Sequence, residues 1–252
     1  MRDGYGIQTN EADQSIYEGM WSDDMMSGTG RMTWNNQDVY HGEWRYNKAN
    51  GHGIFVDNQG STYDGEWVDD QQHGLGFESW ENGQITFRGM YAFGKKNGQG
   101  KFEWSDGSYY EGELQDSLFW GQGTQYFAAD EKMYEGSFAA GMFENKGRLT
   151  QKDGCVYEGD FHEGKKEGNG TMTWPSGRKY TGPWKNDLQH GIGVQYDPKQ
   201  GTKMQGEWKE GKRTKWLSKP IKVMGENNRA LNSAGSALKN RVASAQGSAR
   251  KR

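Results

Sequence analysis

Residues able to do covalent or acid–base chemistry are few and scattered in this chain. It has one cysteine, Cys155, and five histidines. Cys155 lies in "DGCVYEGDF", beside an Asp-Gly pair and two further acids. A nucleophilic thiol needs a base and an orienting acid, and a metal site needs several ligands that converge. His73 and His190 each stand immediately before a Gly-x-Gly, and His52 stands inside one, so a recurring pattern accounts for their places. The stretch "GKKNGQGKF" imitates a phosphate-binding loop, but Gly94 and Gly100 have five residues between them where four are needed. Phe102 also stands where Ser or Thr would hold magnesium. "GTGRMT" and "GQGTQY" open like dinucleotide loops and lack the third glycine. No catalytic residue, metal ligand set or cofactor is expected, and the chain does not read as an enzyme.

The pattern that absorbs these fragments is an internal repeat. "YEGMW" at residue 17 recurs as "YHGEW" (40), "YDGEW" (63), "FRGMY" (87), "YEGEL" (110), "YEGSF" (134), "YEGDF" (157), "YTGPW" (180) and "MQGEW" (204). About eleven residues into each unit comes a second signature, such as "GTGRMTW", "GLGFESW" or "GQGKFEW", then a turn signal such as "DNQG" or "SDG". Positions 1, 3 and 5 of "YxGxW" share one face of a strand, and positions 2 and 4 share the other. The second strand repeats small, small, large, large at period two, and two such strands with polar turns make a β-hairpin. One hairpin cannot bury its aromatic face alone, so the units must stack side by side in an elongated antiparallel sheet. Only 32% of the chain is hydrophobic and its mean hydropathy is −1.12, which leans away from a thick two-sided core. The 11 Trp, 13 Tyr and 10 Phe equally exclude a disordered chain.

These residues resemble the MORN repeat family, with nine copies in phase. The resemblance implies an all-β, single-layer antiparallel sheet whose repeat aromatics line a groove for protein partners or phospholipid. The expected organisation is a half-repeat cap at 1–16 from "RDGYGIQT", a repeat sheet at 17–213 and a basic tail at 214–252. Leu114, Asn145 and Pro183 depart from the pattern, and Pro183 is expected to loosen its strand. The resemblance also implies a non-enzymatic scaffold, of a kind frequent in cilia, flagella, radial-spoke heads and membrane-associated cytoskeleton. A cytoplasmic, cytoskeletal or axonemal place is the expectation, in keeping with the lack of a signal-like start or a long apolar run.

The candidate partner site is the aromatic row: Tyr17, Trp21, Tyr40, Trp44, Tyr63, Trp67, Tyr157, Phe161, Tyr180 and Trp184. A sheet one layer thick has nothing to cover that row. An open trough would therefore receive an amphipathic helix or an extended segment of another protein. On that expectation, removing Trp44 and Trp67 would cost binding and spare the fold. Places 2 and 4 carry a ladder of acids on the opposite face, including Glu18, Glu43, Asp64, Glu66, Glu111, Glu113, Glu135, Glu158, Asp160 and Glu207. The ladder keeps the sheet soluble or receives a basic segment. The net charge of −3 divides into an acidic body and a basic tail, since nine Lys/Arg and one acid, Glu226, follow Thr214. In that tail Leu231, Leu238 and Val242 lie on one weak helical stripe, and Arg241, Arg250, Lys251 and Arg252 suit an acidic protein surface or an anionic membrane. Membrane adaptor and regulatory portion of a larger enzyme are the alternatives, and nucleic acid is the least expected partner.

Overall fold

Among the described residues, 1–223, the computed structural model contains 21 β-strands and no α-helix. The expected tail contacts at Leu231, Leu238, Arg241, Val242, Arg250, Lys251 and Arg252 lie outside the described residues. The described residues divide into two compact units, Met1–Ala129 with Phe138–Gly141, and Asp130–Ser137 with the described residues from Met142 onward.

In the first unit the strands are β1 (Gly4–Thr9), β2 (Ile16–Ser22), β3 (Met25–Thr33), β4 (Val39–Arg45), β5 (Lys48–Val56) and β6 (Thr62–Val68). They continue as β7 (Gln71–Trp80), β8 (Ile85–Ala92), β9 (Lys95–Trp104), β10 (Tyr109–Gln115) and β11 (Leu118–Phe127). Each pairs antiparallel with the next. After β12 (Lys132–Ala139), the second unit has β13 (Met142–Thr150), β14 (Val156–His162), β15 (Lys165–Thr173) and β16 (Lys179–Lys185). It ends with β17 (Leu188–Gln189), β18 (Gly191–Asp197), β19 (Thr202–Lys209), β20 (Lys212–Trp216) and β21 (Ile221–Lys222), again all antiparallel. Within each unit the strands pack against their sheet neighbours. The fold is therefore an all-β array of stacked hairpins.

Two-residue turns close the hairpins, with positive φ at both positions, as at Tyr46-Asn47 and Asp69-Asp70. That geometry matches the natural twist of paired strands. Their side chains also tie one repeat to the one before: Asn47 Oδ1 accepts the Met26 N–H at 2.7 Å, and Asp70 Oδ1 accepts the Ala49 N–H at 2.7 Å.

The register lines up one glycine per strand. From Gly6 on β1 the row runs through Gly19, Gly30, Gly42, Gly53, Gly65, Gly76, Gly89, Gly100 and Gly112 to Gly123 on β11. A second row in the second unit pairs Gly147, Gly159, Gly170 and Gly182 in register and Gly193 with Gly206, and a Cβ on Gly182 would lie 2.7 Å from the Gly193 Cα. With no Cβ on either strand, the rows leave space that the first aromatic of each repeat fills. A Cβ placed on Gly53 would lie 2.3 Å from the Tyr40 hydroxyl and 2.5 Å from its ring.

The other glycine of Gly-x-Gly serves backbone conformation. Gly28, Gly51, Gly98 and Gly168 have φ between +67° and +95°, at the register shift within each hairpin. Asn145 adopts φ 56° at the same place, and Asn tolerates that region better than most residues. At Pro183 the facing strand breaks into β17 and β18 around His190, whose N–H bonds to the Pro183 carbonyl at 3.0 Å.

Gly53→Ala should lower unfolding free energy by about 1–3 kcal/mol, because the Tyr40 ring has no free space to enter. Urea unfolding followed by circular dichroism measures it. Gly164→Ala, where a Cβ meets nothing within 4 Å, carries only the backbone strain of φ +79° and should cost less.

Candidate interaction faces

The ten rings expected to line an open trough are buried. Tyr40, Tyr63, Tyr157 and Tyr180 are each 1% exposed, and Tyr17, Trp21, Trp44, Trp67, Phe161 and Trp184 are also buried. This corrects the expectation of exposed rings. The glycine row lets each tyrosine lie down on the backbone, and the next aromatic then closes over it. Tyr40 meets Trp44 of its own repeat at 5.1 Å and Trp67 of the next at 5.2 Å, both edge to face. Tyr17 with Trp44 and Tyr157 with Trp184 repeat the contact at 5.3 and 5.1 Å. Such pairs add about 0.5–1.5 kcal/mol each to the area they bury.

Both polar handles of the row are satisfied by backbone. The hydroxyls of Tyr17, Tyr40, Tyr63, Tyr157 and Tyr180 donate to the carbonyl three residues on, at 2.9–3.0 Å. The indole N–H groups of Trp44, Trp67 and Trp184 donate to the carbonyls of Gly30, Gly53 and Gly170 at 3.1–3.2 Å. Burial pushes the Tyr17 and Tyr180 phenols up to about 12 and raises the other row phenols as well.

A second row on the same face stays partly exposed. In the first unit Phe55 sits opposite both Tyr40 and Tyr63, and Phe102 sits opposite Phe87 and Tyr110. Trp34, Trp80 and Trp104 extend the row at period two. Trp34 meets Phe55 at 6.1 Å, and Phe102 stacks with Trp80 at 6.3 Å and with Trp104 at 5.8 Å. Among these rings the Lys96 ammonium lies 4.8 Å from Trp80 and 5.2 Å from Tyr91, and it pairs with Glu78. Lys166 holds the same place in the second unit, 5.2 Å from Trp184, and burial lowers its pKa. The sequence reading missed this row as a surface, although "GKFEW" and "GFESW" carried its signal.

The opposite face holds the acids, many of them already engaged within the sheet. Carboxylates of Glu43, Glu113 and Asp160 accept the N–H groups of His52, Gln122 and Asn169, each just after a positive-φ glycine. Asp64 meets His52 at 3.0 Å, Glu158 meets Arg148 at 2.8 Å, and Glu207 meets Lys215 at 3.0 Å. These exposed pairs contribute little stability individually. Ile54, Leu75, Phe77 and Met90 are exposed on the same face of the first unit.

Cys155 is buried, and its thiol donates to Asp153 Oδ2 at 3.3 Å. Burial first, then the Asp153 carboxylate, pushes the thiol up to about 11. Among the described residues no group of three or more His, Cys, Asp or Glu could hold a metal ion. No helix there is long and apolar enough to cross a membrane.

Stacked hairpins with a glycine row and an aromatic cover define a repeat-sheet interaction module. The chain belongs to the MORN repeat family, whose profile matches residues 17–39, 40–62, 63–85, 87–109, 110–129, 134–156, 157–177, 180–202 and 205–214. MORN repeats are generally non-catalytic and serve as protein or membrane interaction modules. No curated protein matches the chain. Similar solved structures include the SAS-4 TCP domain of Drosophila melanogaster in complex with a proline-rich motif of Ana2. That chain is 9% identical at a TM-score of 0.38, with 72% of this chain and 90% of that one covered. Kluyvelomyces marxianus Hsv2 is 10% identical at a TM-score of 0.22, covering 89% and 100%. These likenesses are too weak to carry the fold assignment.

Trp44→Ala with Trp67→Ala should destabilise the sheet, by roughly 3–5 kcal/mol for each ring. Near-native urea stability in the double variant would contradict the packing described. Native Cys155 should alkylate at pH 8 on the order of a hundredfold more slowly than an ordinary thiol, because that much less thiolate is present. The rate should climb with pH toward about 11 and become ordinary in urea, as a timed iodoacetamide assay would show.

Proposed function

We propose that this chain is a non-catalytic scaffold that holds segments of partner proteins along its partly exposed second aromatic row, within a cytoskeletal assembly such as a ciliary axoneme. The observation behind this reading is the set Trp34, Phe55, Trp80, Phe102 and Trp104, partly exposed on the face whose first row is sealed. Amphipathic aromatics are favoured anchors for protein partners. Equivalent places recur every second strand, about 10 Å apart at ~4.8 Å per strand. An α-helix laid across the strands rises about 10.5 Å in seven residues, so apolar residues at i and i+7 would meet successive repeats. The buried rings of the same unit, Tyr17, Trp21, Tyr40, Trp44, Tyr63 and Trp67, then act as the foundation of this surface. The cytoskeletal and ciliary setting is supported by the family resemblance.

Trp80→Ala with Trp104→Ala should keep the circular dichroism spectrum of the folded sheet and lower the urea midpoint much less than Trp44→Ala with Trp67→Ala, because both rings are only partly buried, while removing partner crosslinks to Lys95 on β9. Crosslinking mass spectrometry in the native cell reads this, with cytoskeletal proteins expected among the wild-type crosslinks. Recovery of lipid enzymes with no cytoskeletal protein, or crosslinks that persist in the variant, would overturn the reading.

A further inference from the structure

We infer that the cleft beside Trp104 in the first unit is a binding site for an arginine side chain of a partner protein, its guanidinium stacked on the indole and paired with the carboxylates of Glu81 and Asp106. The inference rests on the protein-binding reading above and names the chemistry recognised at one place along the second aromatic row.

The cleft has a volume of about 410 Å³, and its lining includes Glu81, Ile85, Trp104, Asp106, Ser108 and Phe127. Sites for small ligands typically span about 300–1,000 Å³. It lies where a longer turn is followed by a shorter one. Four residues, 81–84, separate the paired Trp80 and Ile85, whereas three separate Trp104 from Ser108, whose carbonyl accepts the Trp104 N–H at 2.9 Å. The short turn is tied on both sides. The Ser105 N–H donates to the Gln84 carbonyl at 2.7 Å, and the Ala128 N–H donates to Ser108 Oγ at 3.0 Å. The walls are thus set before anything enters, which lowers the cost of binding.

The same turn in the second unit shows what such a place holds. "WSDGSYY" from Trp104 aligns with "WPSGRKY" from Trp174 with no insertion. The backbones agree as well: Gly107 and Gly177 have φ of 89° and 78°, and the Trp174 N–H donates to the Arg178 carbonyl at 2.9 Å as the Trp104 N–H does to that of Ser108. There the chain's own Arg178 guanidinium lies 4.3 Å from the centre of the Trp174 ring. In the first unit Ser108 holds the place of Arg178, and its short side chain is turned to Asp106 Oδ2 at 2.9 Å. The space over Trp104 is therefore left open as the cleft.

Two further differences suit that space to a cation from outside. Asp106 stands where the second unit has Ser176, and Glu81 adds a second carboxylate from the preceding turn. Neither acid pairs with a cation among the described residues, and no lysine or arginine lines the cleft. Asp106 also accepts the Ser108 N–H at 2.8 Å, which holds its carboxylate in place. A guanidinium fits better than an ammonium, because it can stack its plane on an indole while its edge donates to carboxylates.

The test titrates the isotope-labelled full chain with N-acetyl-arginine amide and follows the Trp104 indole N–H by NMR, assigned through its loss in Trp104→Phe. A saturable shift is expected, with N-acetyl-lysine amide and the neutral N-acetyl-citrulline amide binding at least ~tenfold more weakly. Glu81→Gln with Asp106→Asn should weaken arginine binding by a similar factor. Ser108→Arg, which supplies the guanidinium from within, should abolish it with an unchanged circular dichroism spectrum. No saturable Trp104 shift up to about 50 mM probe, equal binding of the citrulline or lysine amide, or undiminished binding to Ser108→Arg overturns the inference. Free arginine binding ~tenfold more tightly than the blocked amide overturns it too, since the site would then serve a metabolite and not a protein. Failure of the probe while crosslinks are still lost in Trp80→Ala with Trp104→Ala defeats this inference alone. Arginine binding with crosslinks that persist in that variant defeats the reading of the row and not that of the cleft.

Discussion

A tyrosine or phenylalanine ring lying flat over a pair of facing glycines is the contact on which the sheet depends. Each hairpin lacks the side chains that would hold a second layer away from its middle, and its own ring drops into that space. The ring's hydroxyl closes on the carbonyl three residues later, and the indole of the following repeat closes over the ring and bonds to a glycine carbonyl. The core is thus one ring thick and is assembled from side chains of the sheet itself. This explains how so polar a sequence builds a packed sheet among the described residues: its row glycines and its aromatics are two halves of one packing device.

The same device assigns work to the two faces. On the ring face, buried aromatics carry stability and the partly exposed row beside them carries the accessible apolar surface. On the other face, the place-4 acids do local structural work, accepting N–H groups that the register shift of each hairpin would otherwise leave to water. Among the described residues neither face gathers a nucleophile, base and acid at one point. Periodicity distributes like residues along a line, which suits a long partner better than a small substrate.

Repetition also explains why departures from the pattern are tolerated. Leu114 still packs as a buried apolar residue where an aromatic usually stands. Asn145 supplies the positive φ of a glycine, and Pro183 is accommodated by a break in the facing strand. Each substitution alters one hairpin and its neighbours, because contacts run between adjacent strands.

The strand pairs, the hairpin period and the shared face of Tyr, Gly and Trp were legible in the sequence, since period two within a strand and 23 or 24 residues between units dictate them locally. So was the place of Cys155 just after a turn, where other units hold Ser61, Ser108 or Arg178. Burial was not legible. Whether a ring on a one-layer sheet stands out as a wall or lies down as a floor depends on the facing glycine, and that neighbour comes from a strand about eleven residues away. Once register brings Gly42 against Gly53, Tyr40 has space to lie flat and is sealed. The accessible row therefore shifts from the expected ten rings to Phe55, Phe102 and their tryptophan neighbours. Residue types and spacing determined the repeat and its strands; only cross-strand register decided which aromatics fill the sheet and which stay partly exposed.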